Sequence, residues 1–175
     1  MKTAIIYYSY RGNTKEIAEW IQKRVGGDLV RIETVVPYEG DYNKVVDQGQ
    51  DEVNRGYCPE INPMDVDLQA YDTILLGTPV WWYTFAPAMH TFLKSQNWEG
   101  KTIYLFATNG GWIGHTFQDF KQACKGADVK SGLNIRFDET TLRTDKKDIE
   151  NWESIFLIRQ MDILPEPVRN ISVVH

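Results

Sequence analysis

The chain has 175 residues, of which 42% are hydrophobic and 25% are charged, and its formal net charge is −5. This length and balance are typical of one folded domain with its own core and exclude a disordered chain. The negative net charge argues against a nucleic-acid-binding protein. The six Trp and nine Tyr residues exceed what a core of this size requires, so we expect some of these rings at a binding surface.

The cysteines and the apolar segments bear on the cellular compartment. Cys58 and Cys124 form no Cys-x-x-Cys pair, which leaves a metal site and a disulfide framework unsupported and favours a reducing compartment. The apolar run after Lys2 is too short for the core of a signal peptide, and no segment approaches the roughly 20 apolar residues needed to cross a bilayer. We therefore expect a cytoplasmic protein with no bound metal and no membrane anchor.

A short polar turn joins the first predicted strand to the first predicted helix. Ala4 to Tyr8 has the length and composition of a strand buried on both faces. The turn Ser-Tyr-Arg-Gly-Asn-Thr follows, and the helix after it has its apolar residues on one face: Ile17, Ala18, Ile21 and Val25. Asn13 or Thr14 is expected to cap this helix, with Glu16 as the capping-box partner.

This turn has the features of an anion site. The first N–H groups of a helix have no partner within the helix, and they lie at the positive end of its dipole. Gly12 permits close approach of a ligand, the hydroxyls of Ser9 and Thr14 add donors, and Arg11 adds charge for a phosphate. A capped strand–helix turn without a ligand is the alternative interpretation.

The rest of the chain continues to alternate between strands and helices. Further strands are predicted at Leu29–Val36, Tyr71–Gly77, Lys101–Thr108 and Val129–Ile135. Helices are predicted around Tyr42 to Val53 and at Ala86–Ser95, Phe117–Lys125 and Ile149–Gln160. The alternation implies a parallel sheet with helices on both faces, in a single domain of residues 1–175. The tail from Leu164 is not assigned, beyond a possible edge strand or a subunit contact in a homodimer.

Unusual residues follow three of the predicted strands. The segments are Ser9–Thr14, Thr78–Tyr83 and Thr108–Thr116, after the first, third and fourth strands. Because ligands of such sheets bind outside the carboxyl ends of the strands, we expect the three segments to meet at one edge. The aromatic second segment suits a flat heterocycle, and the glycines of the third permit close approach. The alternative is that Trp81 and Trp82 only cover the end of the sheet.

Several other nucleotide and catalytic motifs are missing. The first turn lacks the Gly-x-Gly-x-x-Gly of a dinucleotide site, and the chain contains neither the Walker pattern nor Gly-x-Ser-x-Gly. One glycine among several hydroxyls suits a phosphate monoester better than a bridging pyrophosphate. His90 is expected to be an exposed helix residue, and His115 a loop residue near the site. The sequence identifies no catalytic residue.

The three segments together resemble a known family. Ser9-x-Arg11-Gly12-Asn13-Thr14 looks like the phosphate loop of the flavodoxin superfamily, and residues 77–82 and 106–111 resemble the second and third loops of its flavodoxin-like bacterial branch. The resemblance runs from Met1 to about Phe156. It implies a flavodoxin-like doubly wound three-layer α/β sandwich, with a five-stranded parallel sheet of order 2-1-3-4-5 and non-covalently bound FMN.

The resemblance also implies which residues contact FMN. Those around the phosphate are Ser9, Arg11, Gly12, Asn13 and Thr14. Those in the loop that borders the isoalloxazine are Thr78, Pro79, Val80, Trp81, Trp82 and Tyr83. Those on the other side of the ring are Thr108, Asn109, Gly110 and Gly111. The chain departs from electron-carrying flavodoxins in having Tyr10 and Arg11 in place of small residues, and in its modest acidic excess.

Three functions are left open. The first is electron transfer by FMN between a reductase and a redox partner protein. The second is an FMN-dependent NAD(P)H:quinone-type oxidoreductase, in which Tyr83, Trp112 and His115 line a substrate space. The third is a flavodoxin-like interaction module without flavin. A negative rim around the ring edge favours the carrier, and the acidic stretch Asp47 to Glu52 is the segment able to supply one.

Overall fold

The structure, a computed structural model, describes residues 2–163. It divides into two compact units, one ending at Arg143 and one beginning at Thr144. That the whole chain is a single domain stays a prediction. The tail from Leu164, with its possible edge strand or homodimer contact, lies outside the described residues.

The first unit is built on a parallel sheet. Its strands are β1 (Thr3–Tyr8), β2 (Asp28–Ile32), β3 (Thr73–Trp81), β4 (Thr84–Phe85), β5 (Thr102–Asn109), β6 (Asp128–Val129), β7 (Leu133–Asp138) and β8 (Thr141–Leu142). They are ordered β2-β1-β3-β5-β7-β8, with β4 paired to β3 and β6 paired to β5. The five main strands, β2-β1-β3-β5-β7, are parallel and confirm the predicted order 2-1-3-4-5. The three short strands were not predicted.

Helices cover both faces of this sheet. They are α1 (Asn13–Val25), α2 (Tyr42–Arg55), α3 (Pro87–Lys94) and α4 (Thr116–Ala123), with a short 3₁₀ turn at Leu68–Ala70. Alternate β1 residues point to opposite faces. Ala4 and Ile6 pack in one core cluster with residues of α2, α3 and α4, and α1 buries its apolar face on the opposite side. The predicted layered α/β fold is therefore confirmed.

The second unit contains helix α5 (Lys146–Ile163). Its buried apolar residues are Ile149, Trp152 and Phe156, which recur at helical spacing. Ile155, predicted to face the core with them, is instead 51% exposed. No helix within residues 2–163 is long and apolar enough to cross a membrane.

Two predicted strands differ from the structure. The strand predicted at Leu29–Val36 ends at Ile32, and Val36 beyond it is 77% exposed. The strand predicted at Val129–Ile135 is instead split into β6 and β7. The break includes Gly132, where a Cβ would collide with the Phe117 ring. Apolar composition alone predicts neither the early end nor the break, because both depend on packing elsewhere in the fold.

The register of the sheet aligns the strand ends that carry the unusual segments. Tyr7 lies opposite Gly77, and Gly77 lies opposite Phe106. A side chain at Gly77 would collide with the Phe106 ring, so glycine permits this close pairing. The carboxyl ends of β1, β3 and β5 therefore lie side by side, and the loops that follow them meet at one edge.

Candidate functional site

A cleft of about 660 Å³ opens at this edge of the sheet. Its walls come from the loop after β1, the end of β3, the ends of β5 and β7 with the residues just after them, and the first residue of α2. The lining residues are Ser9, Tyr10, Arg11, Asn13, Thr14, Tyr42, Pro79, Val80, Trp81, Thr108, Asn109, Gly110, Phe137, Glu139 and Thr140. We call it the first cleft. Its volume lies within the range of small-molecule and cofactor sites.

The loop after β1 exposes backbone donors to the first cleft. The N-cap of α1 is Gly12, with φ of 107°, and no side chain caps the helix, so the predicted cap at Asn13 or Thr14 is wrong. Ser9 Oγ instead accepts hydrogen bonds from the N–H groups of Gly12 and Lys15, each at 3.2 Å. Within residues 2–163, the N–H groups of Arg11, Asn13 and Thr14 have no acceptor. These donors lie at the positive end of the helix dipole, an arrangement that attracts an anion.

Side-chain contacts fix the position of this loop. The buried hydroxyls of Thr14 and Thr108 lie 2.8 Å apart and join it to the end of β5. Arg31 donates a hydrogen bond to the Ser9 carbonyl at 3.1 Å, and the Asn13 side chain donates to the Glu139 carbonyl at 2.7 Å. The loop is therefore held in place by protein contacts to three neighbouring segments.

Arg11 lies between two aromatic rings at the wall of the first cleft. Its guanidinium carbon is 5.6 Å from the centre of the Tyr10 ring and 5.2 Å from that of the Tyr42 ring, both within cation–π range. Behind these residues lies a chamber of about 430 Å³, lined by Tyr10, Arg11, Tyr42, Val45, Val46, Gly49, Val80, Trp81 and Trp82. Arg11 and Tyr42 line both spaces, so the pair forms part of the partition between them.

The segment predicted as the second loop is a tight hairpin. β3 continues through Thr78 to Trp81 and pairs antiparallel with β4, so that Trp81 lies opposite Thr84. Only Trp82 and Tyr83 connect the strands, with φ of 50° and 71°. Two consecutive positive φ values are typical of a type I′ turn, where Asn-Gly is preferred because large side chains are strained there. We call residues Trp81–Thr84 the aromatic turn.

Contacts from neighbouring elements hold the aromatic turn in this conformation. Trp82 Nε1 donates a hydrogen bond to the Val46 carbonyl of α2 at 3.0 Å. The Tyr83 carbonyl accepts one from the His115 N–H at 2.8 Å. Gly114 lies against the Tyr83 backbone so closely that a Cβ would collide with it. Such contacts are what allows a strained turn to persist.

The residues beside this turn also form a polar network. The Asp119 carboxylate accepts hydrogen bonds from Thr84 Oγ1 and pairs with His115 Nδ1. His115 is the N-cap residue of α4, which agrees with its predicted place in a loop near the site. His90, predicted to be exposed, is instead half-buried against the Phe85 ring, at 5.6 Å between ring centres. Burial lowers the pKa of His90, and nearby Lys94 lowers it further.

Trp81 belongs to a cluster of aromatic rings behind the first cleft. Its ring centre lies 4.9 Å from that of Tyr38, and 5.7 and 6.0 Å from those of Tyr10 and Tyr8, all edge to face. The Tyr38 hydroxyl donates a hydrogen bond at 2.6 Å to the buried carboxylate of Glu52. Burial raises the pKa of Tyr38, and this hydrogen bond raises it further. Much of Trp81 is therefore part of the core.

A second cleft, of about 520 Å³, adjoins the first. It is lined by Val80, Trp82, Tyr83, Asn109, Gly110, Gly111, Trp112 and Arg136. Val80, Asn109 and Gly110 line both clefts, so the two spaces meet there. The ring centres of Tyr83 and Trp112 are 5.8 Å apart, and the two side chains are 47% and 69% exposed. The second cleft is therefore an open, mainly aromatic extension of the first.

The two clefts contain most of the residues expected at the site. Thirteen of the fifteen line one cleft or the other, and the exceptions are Gly12 and Thr78. The Thr78 hydroxyl is buried, donating to the Pro79 carbonyl at 2.8 Å and accepting from the Ala86 N–H at 3.0 Å. Its role is therefore to support the hairpin. That the other residues contact FMN stays a prediction.

Sequence reasoning missed several residues that line the clefts. They are Tyr10, Tyr42, Phe137, Glu139, Thr140 and Arg136, and Trp112 was assigned to a substrate space rather than to the cofactor. Residues 136–140 form the end of β7 and the two residues after it, beyond the predicted end of this strand at Ile135, so the sequence pattern did not place them at the cleft. Tyr42 was predicted only as one of the few apolar residues of the helix expected around Tyr42 to Val53.

The fold and the clefts define a doubly wound α/β protein with unpartnered helix N–H groups and an aromatic cleft at the carboxyl edge of its sheet. The chain belongs to the flavodoxin family, since the family model described as Flavodoxin matches residues 2–154. Among curated relatives, Flavodoxin 1 of Escherichia coli K12 is 28% identical over 108 residues, 59% of this chain and 47% of that protein. The chain thus spans about half the length of the curated relatives it matches.

Other relatives and solved structures extend the comparison. The uncharacterised NAD(P)H oxidoreductase YcaK of E. coli K12 is 27% identical over 96 residues, 52% of this chain and 48% of that protein. A crystal structure of a candidate flavoprotein of Bacteroides eggerthii is 30% identical, with TM-score 0.75 and coverage of 89% and 98% of the two chains. A Lactobacillus acidophilus flavoprotein in complex with FMN is 26% identical, with TM-score 0.70 and coverage of 86% and 97%.

Proposed function

We propose that the chain binds FMN non-covalently across the two clefts and transfers electrons through it. The observation that carries the proposal is the set of unpartnered N–H groups of Arg11, Asn13 and Thr14, which opens into a cleft continued by aromatic rings. A phosphate monoester suits the first feature and a flat heterocycle suits the second. Membership of the flavodoxin family and the FMN complex of the L. acidophilus neighbour support the choice of FMN.

The residues present suit each part of FMN. The N–H groups at the start of α1, with Arg11, would hold the phosphate, because they supply donors and positive charge without a competing acceptor. The carboxylate of Glu139 and the hydroxyl of Thr140 line the same cleft and would bind the hydroxyls of the ribityl chain. Trp82, Tyr83 and Trp112 would border the isoalloxazine in the second cleft. Bound FMN supplies one- and two-electron redox chemistry, and the protein sets its environment.

Electron carriage between a reductase and a partner protein is the first candidate, on family grounds. The second candidate, an NAD(P)H:quinone-type oxidoreductase, is favoured by the composition of the aromatic turn, since Trp81–Thr84 contains no acidic residue. In the stretch Asp47 to Glu52, Asp51 pairs with Arg55 at 2.8 Å and Glu52 is buried against Tyr38. The exposed rings of Tyr83 and Trp112 offer an apolar surface to a small acceptor, and YcaK is named as an NAD(P)H oxidoreductase.

Direct oxidation of NADPH distinguishes the two candidates. The FMN-loaded protein is mixed with NADPH and menadione, a quinone, with no reductase added, and NADPH absorbance is followed against free FMN at the same concentration. Turnover faster than about 1 s⁻¹, the low end for enzymes, rejects the carrier. A rate no higher than that of free FMN, restored by adding a flavodoxin reductase, rejects the oxidoreductase. A protein that takes up no FMN at all would reject both electron-transfer functions, and the flavin-free interaction module would be the remaining candidate.

A further inference from the structure

The Arg11 guanidinium is positioned by aromatic rings and by no polar partner. Within residues 2–163 it forms neither an ion pair nor a hydrogen bond. Its contacts are the rings of Tyr10 and Tyr42, on its own loop and on α2. Because these ring contacts use none of its N–H donors in a hydrogen bond, the donors stay available for an anion.

Tyr42 is itself held in place by its helix. The Asp41 side chain caps α2 by accepting a hydrogen bond from the Lys44 N–H at 2.9 Å. About two turns further on, Gly49 lies directly against Trp81, where a Cβ would be 3.1 Å from the indole. The Tyr42 side chain is 63% exposed, so its ring contributes little to the core. The ring instead contacts the Arg11 guanidinium, at the boundary between the first cleft and the chamber behind it.

We propose that Tyr42 is a positioning residue that holds the Arg11 guanidinium over the first cleft, so that the pair selects a flavin carrying a terminal phosphate over riboflavin. The proposal rests on the proposed function for the identity of the ligand. A free arginine side chain loses much rotamer freedom when it binds a phosphate. Contacts with two rings remove part of the rotamer freedom of Arg11 before the ligand binds. The entropic cost of binding is then smaller, which is the general effect of preorganisation.

The test compares FMN with riboflavin, which lacks only the phosphate. Both dissociation constants are measured by fluorescence titration of the flavin-free full-length protein, for wild type, Arg11→Gln, Tyr42→Leu, Tyr42→Phe and the Arg11→Gln/Tyr42→Leu double variant. We expect Arg11→Gln to weaken FMN by roughly tenfold and Tyr42→Leu by about fivefold, within the range of charge-assisted and cation–π contacts. Riboflavin affinity should stay unchanged, and Tyr42→Phe, which keeps a ring, should behave as wild type.

Three further comparisons distinguish a positioning role of Tyr42 from a general effect on the site. In the double variant, Tyr42→Leu should add nothing to the loss caused by Arg11→Gln, because its effect acts through the arginine. Tyr57→Leu is the matched control, since Tyr57 is 43% exposed and stacks on Arg55, at 4.9 Å, just after α2 ends. It should leave both flavin affinities unchanged. The FMN loss in Tyr42→Leu should also shrink at high salt, because screening weakens the attraction between Arg11 and the phosphate.

Three results would overturn the proposal. Equal weakening of FMN and riboflavin by Tyr42→Leu would show that the ring contacts the flavin itself. Additive losses in the double variant would show that Tyr42 acts independently of Arg11. Unchanged FMN affinity in Tyr42→Leu would remove the positioning role while leaving the proposed function intact. A wild-type protein that binds neither flavin would overturn the proposed function together with this inference.

Discussion

The loop after β1 and the aromatic turn after β3 both form walls of the clefts, but different forces shape them. The conformation of the first loop rests on local features: Gly12 adopts φ of 107° at the helix start, and Ser9 three residues earlier accepts its N–H. Contacts from β2, β5 and the residue after β7 then fix the position of the loop. The aromatic turn places Trp82 and Tyr83 in conformations that their own preferences oppose. Contacts from α2 and from the segment before α4 impose that conformation.

Because of this difference, we expect the two segments to respond differently to ligand binding and to substitutions elsewhere in the fold. A loop whose conformation is locally encoded keeps its donors in place whether or not a ligand is bound. A strained turn stays in place only while its neighbours hold it, so changes in α2 or near His115 should affect the ring end of the site more than the phosphate end. Each prediction below tests one side of this comparison.

The largest effect is expected at the phosphate loop, from Gly12→Val. A Cβ there meets no protein atom within 4 Å, so the fold should persist with only the cost of a positive φ, about 1–3 kcal/mol. The valine would stand at the N-cap of α1, between Arg11 and Asn13, and would crowd an anion bound to their N–H groups. FMN affinity should fall by roughly 100-fold or more, which corresponds to about 3 kcal/mol. Fluorescence titration and thermal unfolding measure the two effects.

Gly100→Val is the matched control for this change. Gly100 has φ of 74° and equally open surroundings, but it precedes β5, at the end of the strand opposite to the clefts. It should cost similar stability and leave FMN affinity unchanged. A Gly12→Val protein with a full complement of FMN would show that the anion binds elsewhere.

The next largest effects should separate the two tryptophans of the turn. Trp81→Ala removes the centre of the Tyr8–Tyr10–Tyr38 cluster and should lower the free energy of unfolding by about 2–4 kcal/mol. Trp82→Ala should cost less stability but weaken FMN by about 1–3 kcal/mol. Chemical denaturation and FMN titration of both variants check this. Equal effects of the two substitutions on stability and on affinity would contradict the assignment of Trp81 to the core.

The same substitution of Trp82 should alter the redox behaviour of bound flavin. An aromatic, apolar surrounding disfavours the negative charge that reduction adds to the ring, and opening it to water relaxes this penalty. The midpoint potential for the last electron added should therefore rise in Trp82→Ala. Spectroelectrochemical titration measures it, and a lower potential would show that the indole does not exclude water from the ring.

A smaller effect of opposite sign is expected from Tyr83→Gly. Glycine adopts φ of 71° without strain, and the Tyr83 side chain is half exposed. The substitution should therefore raise the free energy of unfolding by about 1 kcal/mol. The ring-side wall of the second cleft is lost at the same time, so FMN should bind more weakly. Loss of stability on thermal unfolding would mean that the Tyr83–Trp112 contact outweighs the strain.

The smallest effect is the pH dependence of stability that His90 contributes, from helix α3, where its ring packs against Phe85 of β4. The pKa of His90 is lowered below its ordinary value of 6.5, mainly by burial, although Asp119 opposes the shift. The unfolded chain therefore binds the proton first, and His90 should contribute a loss of stability as the pH falls below about 6.5. Because the ring is only half-buried, we expect well under about 1 kcal/mol. His90→Gln should reduce the slope of stability against pH between 7 and 5; an unchanged slope would contradict the shift.

The sequence predicted the five main strands and the meeting of three loops, because long apolar runs and helix periodicity depend on local composition. The order of the strands was predicted only from the resemblance to the flavodoxin superfamily. It failed where tertiary contacts decide the conformation. The hairpin at Trp82 and Tyr83 contradicts local turn preference, and the break before β7 depends on Phe117 packing on Gly132. Tyr42 and Glu139 approach the first cleft only through the placement of α2 and β7, so no local pattern identifies them.

Direct titration of the flavin-free protein with FMN and with FAD tests the central claim. The first cleft offers one loop of unpartnered N–H groups and continues into an aromatic second cleft, and the sequence has no Gly-x-Gly-x-x-Gly motif of a dinucleotide site. Addition of the protein should quench the fluorescence of FMN strongly, with saturation at one flavin per chain, and that of FAD only weakly. Equal affinity for the two flavins, or no saturable binding of FMN, would contradict the assignment of this edge of the sheet as an FMN site.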